Sequence, residues 1–206
     1  MEDFKIKNGK IFNYTGTKKD IIIPEGVTEI VWDAFKNNET ITSVVIGNNV
    51  TEIGEYAFYG CKNLKTVIIE DSVTKIDNCA FMGCFSLETL KIGNSVIEIG
   101  DRAFSNCLKL KTVQLGNNIK TIKSLAFDSD DNLEHIIIPK SVNFISYAVF
   151  YDCKNLKSVI FEDPNNWYSK LVSEEQYTPI NLSDPINNVK ELTGPWKYFK
   201  KIEKQY

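Results

Sequence analysis

The sequence predicts a β-rich repeat solenoid of the α/β class, with a parallel sheet on one side, short helical turns on the other and a cap at each end. The first observation is a period of 23 residues, which separates six phenylalanines. The second is that aliphatic residues recur at fixed offsets from each phenylalanine. The third is physical, because so short a unit buries its apolar face only when units stack. The six phenylalanines are Phe35, Phe58, Phe81, Phe104, Phe127 and Phe150.

Each unit follows the pattern L-x-x-V-x-I-x-x-x-V-x-x-I-x-x-x-A-F-x-x-C-x-x. Thr66–Ile69 is β-branched and alternates about one inward face, which predicts a short strand. A second extended piece follows at Val73–Ile76, and Glu55–Tyr59 favours a short helical or 3₁₀ turn. The second residue after each phenylalanine is Asn, Gly, Ser or Asp, which tolerate the left-handed conformation that ends such a turn. The predicted strands of the sheet lie near 20–24, 43–47, 66–70, 89–93, 112–116, 135–139 and 158–162.

The periodic array spans residues 20–162, and an N-terminal cap is predicted before it. Residues 1–19 are expected to form a hairpin that turns at Asn8–Gly9, because this pair favours a two-residue hairpin loop. The hairpin would cover the apolar end of the first coil.

Residues 163–206 break the period and are predicted to cap the other end of the array. The segment is rich in aromatic side chains, as expected of a segment that covers an open solenoid end. Asp184 followed by Pro185 predicts the start of a helix, and Gly194 its end. The last residues favour either a strand or a helical turn.

The repeated unit resembles the BspA-like leucine-rich repeat, whose signature is I-P-x-x-V-x-x-I-x-x-x-A-F-x-x-C-x-x-L-x-x-V. Glycine replaces the turn proline in three units and Asp130 replaces the cysteine in one, which alters loop detail rather than the fold. The resemblance implies a right-handed leucine-rich-repeat superhelix with parallel sheets and a binding role. It also implies a surface adhesin that engages host or matrix molecules, although a shared fold does not determine function.

Composition and charge exclude several classes of function. Lys and Arg number 24 and Asp and Glu 27, so a net charge of −3 argues against a nucleic-acid partner. No stretch approaches the roughly 18 apolar residues that membrane insertion requires. The family resemblance suggests a cell-surface or secreted protein, but the N-terminus lacks the apolar segment of a signal peptide, so a cytoplasmic location stays open. We expect a monomer.

The reactive side chains predict no cofactor, no metal and no catalytic residue. There is no C-x-x-C pair, no calcium loop and no phosphate-binding glycine motif. Cysteines stacked in one column are expected to be buried and reduced, because parallel side chains meet in poor disulfide geometry. The column contains Cys61, Cys84, Cys107 and Cys153, and Cys79 lies outside it.

Three outward columns of the predicted sheet are free to carry recognition. One alternates in charge, the next is a nearly uncharged strip of hydroxyl side chains, and the third contains valine and isoleucine that core burial does not explain. Exposed apolar residues beside polar strips are typical of interaction surfaces. β-propensity, or cover by flanking segments, would also account for them. The predicted function is non-catalytic binding of a protein or peptide partner, centred on Ile68, Thr89, Lys91, Thr112, Gln114, His135 and Ile137.

Two other functions stay open at this point. A carbohydrate-binding surface protein would stack a glycan on Trp167 or Trp196 of the tail, although packing over the solenoid end is the simpler explanation. An enzyme would need a site in the tail or around His135, whose strand neighbours are Thr112 and Ser158. No third orienting group or oxyanion motif accompanies that histidine, so an enzyme is not expected.

Overall fold

The computed structural model describes residues 3–194 and 197–202 as a β-solenoid of about seven turns. The repeat solenoid expected from the period is therefore confirmed. In chain order the elements are β1 (Phe4–Lys7), β2 (Lys10–Tyr14), β3 (Asp20–Ile22), β4 (Glu29–Ile30), β5 (Ser43–Ile46), β6 (Glu52–Ile53), β7 (Thr66–Ile69), β8 (Lys75–Ile76), β9 (Thr89–Ile92), β10 (Glu98–Ile99), β11 (Thr112–Gln114), β12 (Thr121–Ile122), β13 (His135–Ile138), β14 (Phe144–Ile145), β15 (Ser158–Phe161), β16 (Trp167–Leu171), β17 (Thr178–Pro179), α1 (Pro185–Thr193) and β18 (Lys197–Lys201).

Seven of these strands, β3, β5, β7, β9, β11, β13 and β15, form what we call the front sheet. They begin where the sequence predicts, and residues one period apart are paired, as Thr66 is with Thr89. Alternate residues face the core, so Val67 and Ile69 are fully buried. The front sheet is not continuous, however, because β3 to β11 form a five-stranded sheet and β13 pairs with β15 in a separate one.

The second extended piece of each coil contributes to the side sheet, which has 11 strands. Its parallel central strands are two residues long, and each places one isoleucine in the core. At the N-terminal end, β1 and β2 form the expected hairpin, with φ of 51° at Asn8 and 73° at Gly9. At the other end, β18 pairs antiparallel with β14, and β16 and β17 extend the sheet further.

Helix α1 packs against β15, the last strand of the front sheet. It begins as the sequence predicts, with Asp184 as its N-cap and Pro185 in its first turn. Asn188 is fully buried, and its side-chain amide donates to the carbonyls of Val159 and Leu182 at 2.9 Å each. These bonds fasten the helix to the last coil. After the helix the chain forms strand β18. Of the two structures that the sequence favours for the last residues, a strand or a helical turn, the structure has the strand.

The turn side of the solenoid corrects one prediction, because it consists of consecutive turns rather than short helical or 3₁₀ turns. In Glu55–Tyr59 the N–H of Tyr59 bonds to the C=O of Tyr56 at 3.0 Å, but Tyr56 has a φ of 55°, which is left-handed. The second residue after each phenylalanine is left-handed, as predicted. The second residue before each phenylalanine is left-handed as well. Hydrogen bonds between coils hold this backbone, as from Phe58 N–H to Ala80 C=O at 2.7 Å.

The centre of the core is the predicted spine of six stacked phenylalanine rings. Each ring is at most 2% exposed. Neighbouring ring centroids are 4.5 to 5.7 Å apart, and their planes differ by 15° or less. Such stacks add to the stabilisation from apolar burial. Within the described chain, no helix has the length and apolar character of a membrane span.

The cysteine column packs beside this spine. All five cysteines lie in the described part of the chain, where they are buried, free thiols, as predicted for the column. Cys61 donates its Sγ–H to the carbonyl of Phe35 in the preceding coil at 3.0 Å. Burial raises the pKa of Cys61 to about 12 and holds the pKa of Cys84 and Cys107 well above the ordinary value. The thiols are therefore protonated, apolar filling rather than nucleophiles.

Candidate interaction face

The predicted binding residues lie on the outer surface of the front sheet. Register pairs Thr89 with Thr112 and Lys91 with Gln114, so these four exposed residues form one block on β9 and β11. Ile68 pairs with Lys91 from the other side, but its side chain is only half exposed between its neighbours. The structure thus brings five of the seven predicted residues together in the five-stranded sheet.

The other two predicted residues lie on β13, across the division of the front sheet. Ile137 is 52% exposed, and the His135 side chain is 61% exposed. His135 Nδ1 lies 2.8 Å from Oγ of Ser158 on β15. The candidate face therefore has two parts that meet between β11 and β13.

His135 and its neighbours do not have the geometry of a hydrolytic site. Glu134 Oε2 lies 3.9 Å from His135 Nε2 but 2.6 Å from Nζ of Lys157. The hydrogen bond from Lys157 lowers the pKa of Glu134, so this carboxylate pairs with the lysine instead of orienting the imidazole. A serine nucleophile needs a base held by a third group and preorganised oxyanion donors. The cluster is exposed on an open sheet, which favours surface contacts.

The apolar column of the face is most exposed at its two ends. Ile22 is 70% exposed, because β3 is the edge strand and has a neighbour on one side only. Ile137 and Ile160, at 52% and 41%, form a second exposed pair on β13 and β15. Sequence reasoning missed Ile22, whose signal is that it stands on the first strand of the array.

Between β11 and β13 the face opens at what we call the seam, which the sequence did not predict. Val113 is half-buried and Leu115 is 8% exposed, whereas Val67, at the position of Val113, is fully buried. The seam contains a cavity of about 240 Å³. It is lined by four apolar residues and three polar ones, which are Val113, Leu115, Ile137 and Pro139 and then Gln114, Asn117 and Glu162.

Trp167 in the aromatic tail does not offer a surface on which a sugar could stack. Trp167 is 2% exposed and packs with its ring centroid 5.2 Å from that of Phe161. Its Nε1–H donates to the carbonyl of Asp163 at 3.0 Å. The alternative prediction of a glycan stacked on Trp167 is therefore wrong. Trp196, the other tryptophan of that alternative, lies outside the described residues. In the ranges that the structure describes, no group of three or more His, Cys, Asp and Glu is arranged to hold a metal ion.

A stacked array of coils that each bury leucine, valine and isoleucine at fixed positions defines a leucine-rich repeat protein. The sequence pattern of the BspA type leucine rich repeat region matches in six copies, over residues 5–129 and 74–192. The chain belongs to this family. The comparison with curated proteins finds no match.

Three solved structures illustrate the similarity. A leucine rich cell surface protein from Faecalibacterium prausnitzii is 29% identical over 85% of this chain and 57% of its own, with a TM-score of 0.59. A leucine-rich repeat protein from Eubacterium ventriosum is 26% identical over 72% and 47%, with a TM-score of 0.62. The pneumococcal vaccine antigen PcpA is 24% identical over 82% and 50%, with a TM-score of 0.68, and shows the fold alone. The chain spans about half the length of these proteins.

Proposed function

We propose that this chain is a non-catalytic module that binds a protein or peptide partner on its front sheet, as part of a surface adhesin. One observation carries the proposal: exposed polar residues on β9 and β11 lie beside the exposed Ile137 on β13, although the core needs none of them. Interfaces combine apolar contact area with polar groups in this way.

The comparisons support this reading in general terms. Leucine-rich repeat proteins generally bind protein partners and are typically non-enzymatic. The similar protein from Faecalibacterium prausnitzii is described as a cell surface protein, which favours a surface location for this chain as well. Because the chain spans about half the length of its relatives, the adhesin role of a whole protein is part of the proposal.

A pair of matched substitutions separates binding from folding. Ile137→Glu places a charge on the face, and Ile97→Glu places the same charge just before β10 of the side sheet, where Ile97 is 51% exposed against 52% for Ile137. Binding to a panel of purified host and matrix proteins is measured by surface plasmon resonance, with circular dichroism as the folding control.

We expect any protein bound by the wild-type chain to bind Ile137→Glu at least about tenfold more weakly, as expected of a residue near an interface centre. Ile97→Glu should bind as the wild type does. A double substitution, Ile68→Glu with Ile137→Glu, should abolish binding while the coils remain folded. Undiminished binding by the folded double variant would overturn the proposal.

A further inference from the structure

At the seam, a proline stands where the hydrogen-bond ladder of the front sheet can have an N–H donor. One coil later, the N–H of Glu162 bonds to the carbonyl of Ile138 at 3.1 Å, just after the strand. Pro139 occupies that position after β13, and proline has no N–H to donate to the carbonyl of Leu115. The strands on the two sides of the seam are not paired in this fully described part of the chain. Val113, an inward residue beside the seam, is half exposed.

The size of the seam cavity favours a single side chain. Its volume of about 240 Å³ is smaller than the roughly 300–1,000 Å³ of ordinary small-molecule sites. Its lining is mixed, because four of the seven lining residues are apolar, namely Val113, Leu115, Ile137 and Pro139, and the other three are Gln114, Asn117 and Glu162. It also opens on the exposed face, beside the polar block of β9 and β11.

The rim of the cavity has a defined charge. Glu162 is the charged residue among those that line it. The Oε2 of Glu162 accepts the backbone N–H of Lys140 at 3.0 Å, which holds the carboxylate beside the opening. A cation next to an apolar side chain would therefore meet a fixed negative group.

We propose that the seam is the anchor point of the binding face and takes one phenylalanine-sized apolar side chain of an extended partner segment, followed by a lysine or arginine that pairs with Glu162. This inference rests on the proposed function of the front sheet. Interface energy concentrates in apolar side chains that fill small pockets surrounded by polar residues. Within the face described above, the seam combines four apolar lining residues, polar groups beside them and the carboxylate of Glu162.

Blocked dipeptides test the inference without knowledge of the partner. The probes are N-acetyl-Phe-Lys-amide, N-acetyl-Phe-Glu-amide and N-acetyl-Ser-Lys-amide, titrated into the full chain with methyl-labelled Val, Leu and Ile. Phe-Lys should shift the methyl signals of Val113, Leu115 and Ile137. Phe-Glu should bind about two- to fivefold more weakly, as expected for the loss of an exposed ion pair, and Ser-Lys should leave these signals unchanged.

A matched pair of variants then tests the charge at the rim. Glu162→Gln should remove the preference for Phe-Lys over Phe-Glu. Glu70→Gln, at the same position of a coil whose strands are paired, should preserve it. Equal affinities of the two dipeptides for the wild type, or shifts centred on Ile68 instead of the seam, would overturn the anchor.

The two proposals fail separately. If partner binding is lost in Ile137→Glu but Phe-Lys does not shift the seam methyl groups, the face binds without this anchor and only the inference is wrong. If Phe-Lys binds the seam while partner binding survives the folded double variant, the cavity is real but the proposed function of the face is wrong.

Discussion

Replacing Asp130 by cysteine should stabilise the solenoid. Asp130 occupies the cysteine column, where a thiol donates a hydrogen bond to a backbone carbonyl and where one carboxylate oxygen of Asp130 has no partner. In the next coil Cys153 donates its Sγ–H to the carbonyl of Phe127 at 3.0 Å. Asp130 is fully buried, and its Oδ1 accepts the backbone N–H of Cys107 at 2.9 Å. Its Oδ2 has no hydrogen-bond partner among the described residues.

The size of the effect follows from this unpaired atom. Leaving one buried polar group without a partner costs about 1–3 kcal/mol. Burial raises the pKa of Asp130 well above its ordinary value, and the nearby carboxylates of Asp128 and Asp131 raise it further. A thiol at this position carries no charge and has a carbonyl to donate to. The substitution also removes the acceptor of the Cys107 N–H, which costs about 0.5–1.5 kcal/mol, so we expect Asp130→Cys to raise the free energy of unfolding by about 1 kcal/mol at neutral pH.

The same burial makes stability depend on pH. An unfolded aspartate titrates at about pH 4, and the pKa of Asp130 in the folded chain lies above that value. Between these two pKa values the folded chain keeps a proton that the unfolded chain has released. This contribution to stability is complete below the unfolded pKa. It falls as pH rises through the interval up to the folded pKa, by at most about 1.4 kcal/mol per pH unit.

Urea unfolding, followed by circular dichroism between about pH 4 and about pH 8, measures both effects. Asp130→Asn is the matched control, because it keeps the size of the side chain and cannot titrate. The difference in unfolding free energy between Asp130→Asn and the wild type should grow with pH. Parallel pH profiles for the two proteins, or an Asp130→Cys variant less stable than the wild type at neutral pH, would refute the reasoning.

Three further predictions concern the core and the caps. Phe81→Ala, in the middle of the ring stack, should lower the free energy of unfolding by about 3–5 kcal/mol in urea titrations, and a loss below about 1 kcal/mol would contradict a packed spine. Thiol titration should be slow in the native chain and release five thiols after denaturation, whereas a fast equivalent would mean an exposed cysteine. Removing residues 163–206 should uncover the last coil and cause association in light scattering, and a soluble, monomeric 1–162 fragment would count against a capping role.

The features that the sequence predicts best are those that every coil repeats. Val67 and Ile69 alternate with outward residues in the same way as their counterparts one period away, so a short strand follows from a pattern of period two. Phe58 marks the spine for the same reason. The N-terminal hairpin and helix α1 were predictable by different signals, since Asn8–Gly9 and Asp184–Pro185 carry the local chemistry of a hairpin turn and a helix start.

The turn side was not predictable in the same way. Tyr56, Arg102 and Leu125 are left-handed, although their side chains disfavour that conformation. Local propensity favours a helical turn there, but a helical turn would not place its N–H groups opposite the carbonyls of the next coil. The hydrogen bonds between coils, as from Tyr56 N–H to Asn78 C=O at 3.1 Å, override local preference. Such a hydrogen bond joins residues about one period apart, so a prediction from a window of a few residues does not include it.

Repetition also indicates where recognition should lie in such an array. The inward columns are nearly identical from coil to coil, so they stabilise every coil alike and distinguish none of them. A specific partner needs features that occur once. On the front sheet, Lys91 and Gln114 interrupt the apolar column, and the pairing of the strands is interrupted between β11 and β13. These departures lie on adjacent coils around the seam, which is why the centre of the array, rather than the exposed edge at Ile22, is the better candidate for the binding site.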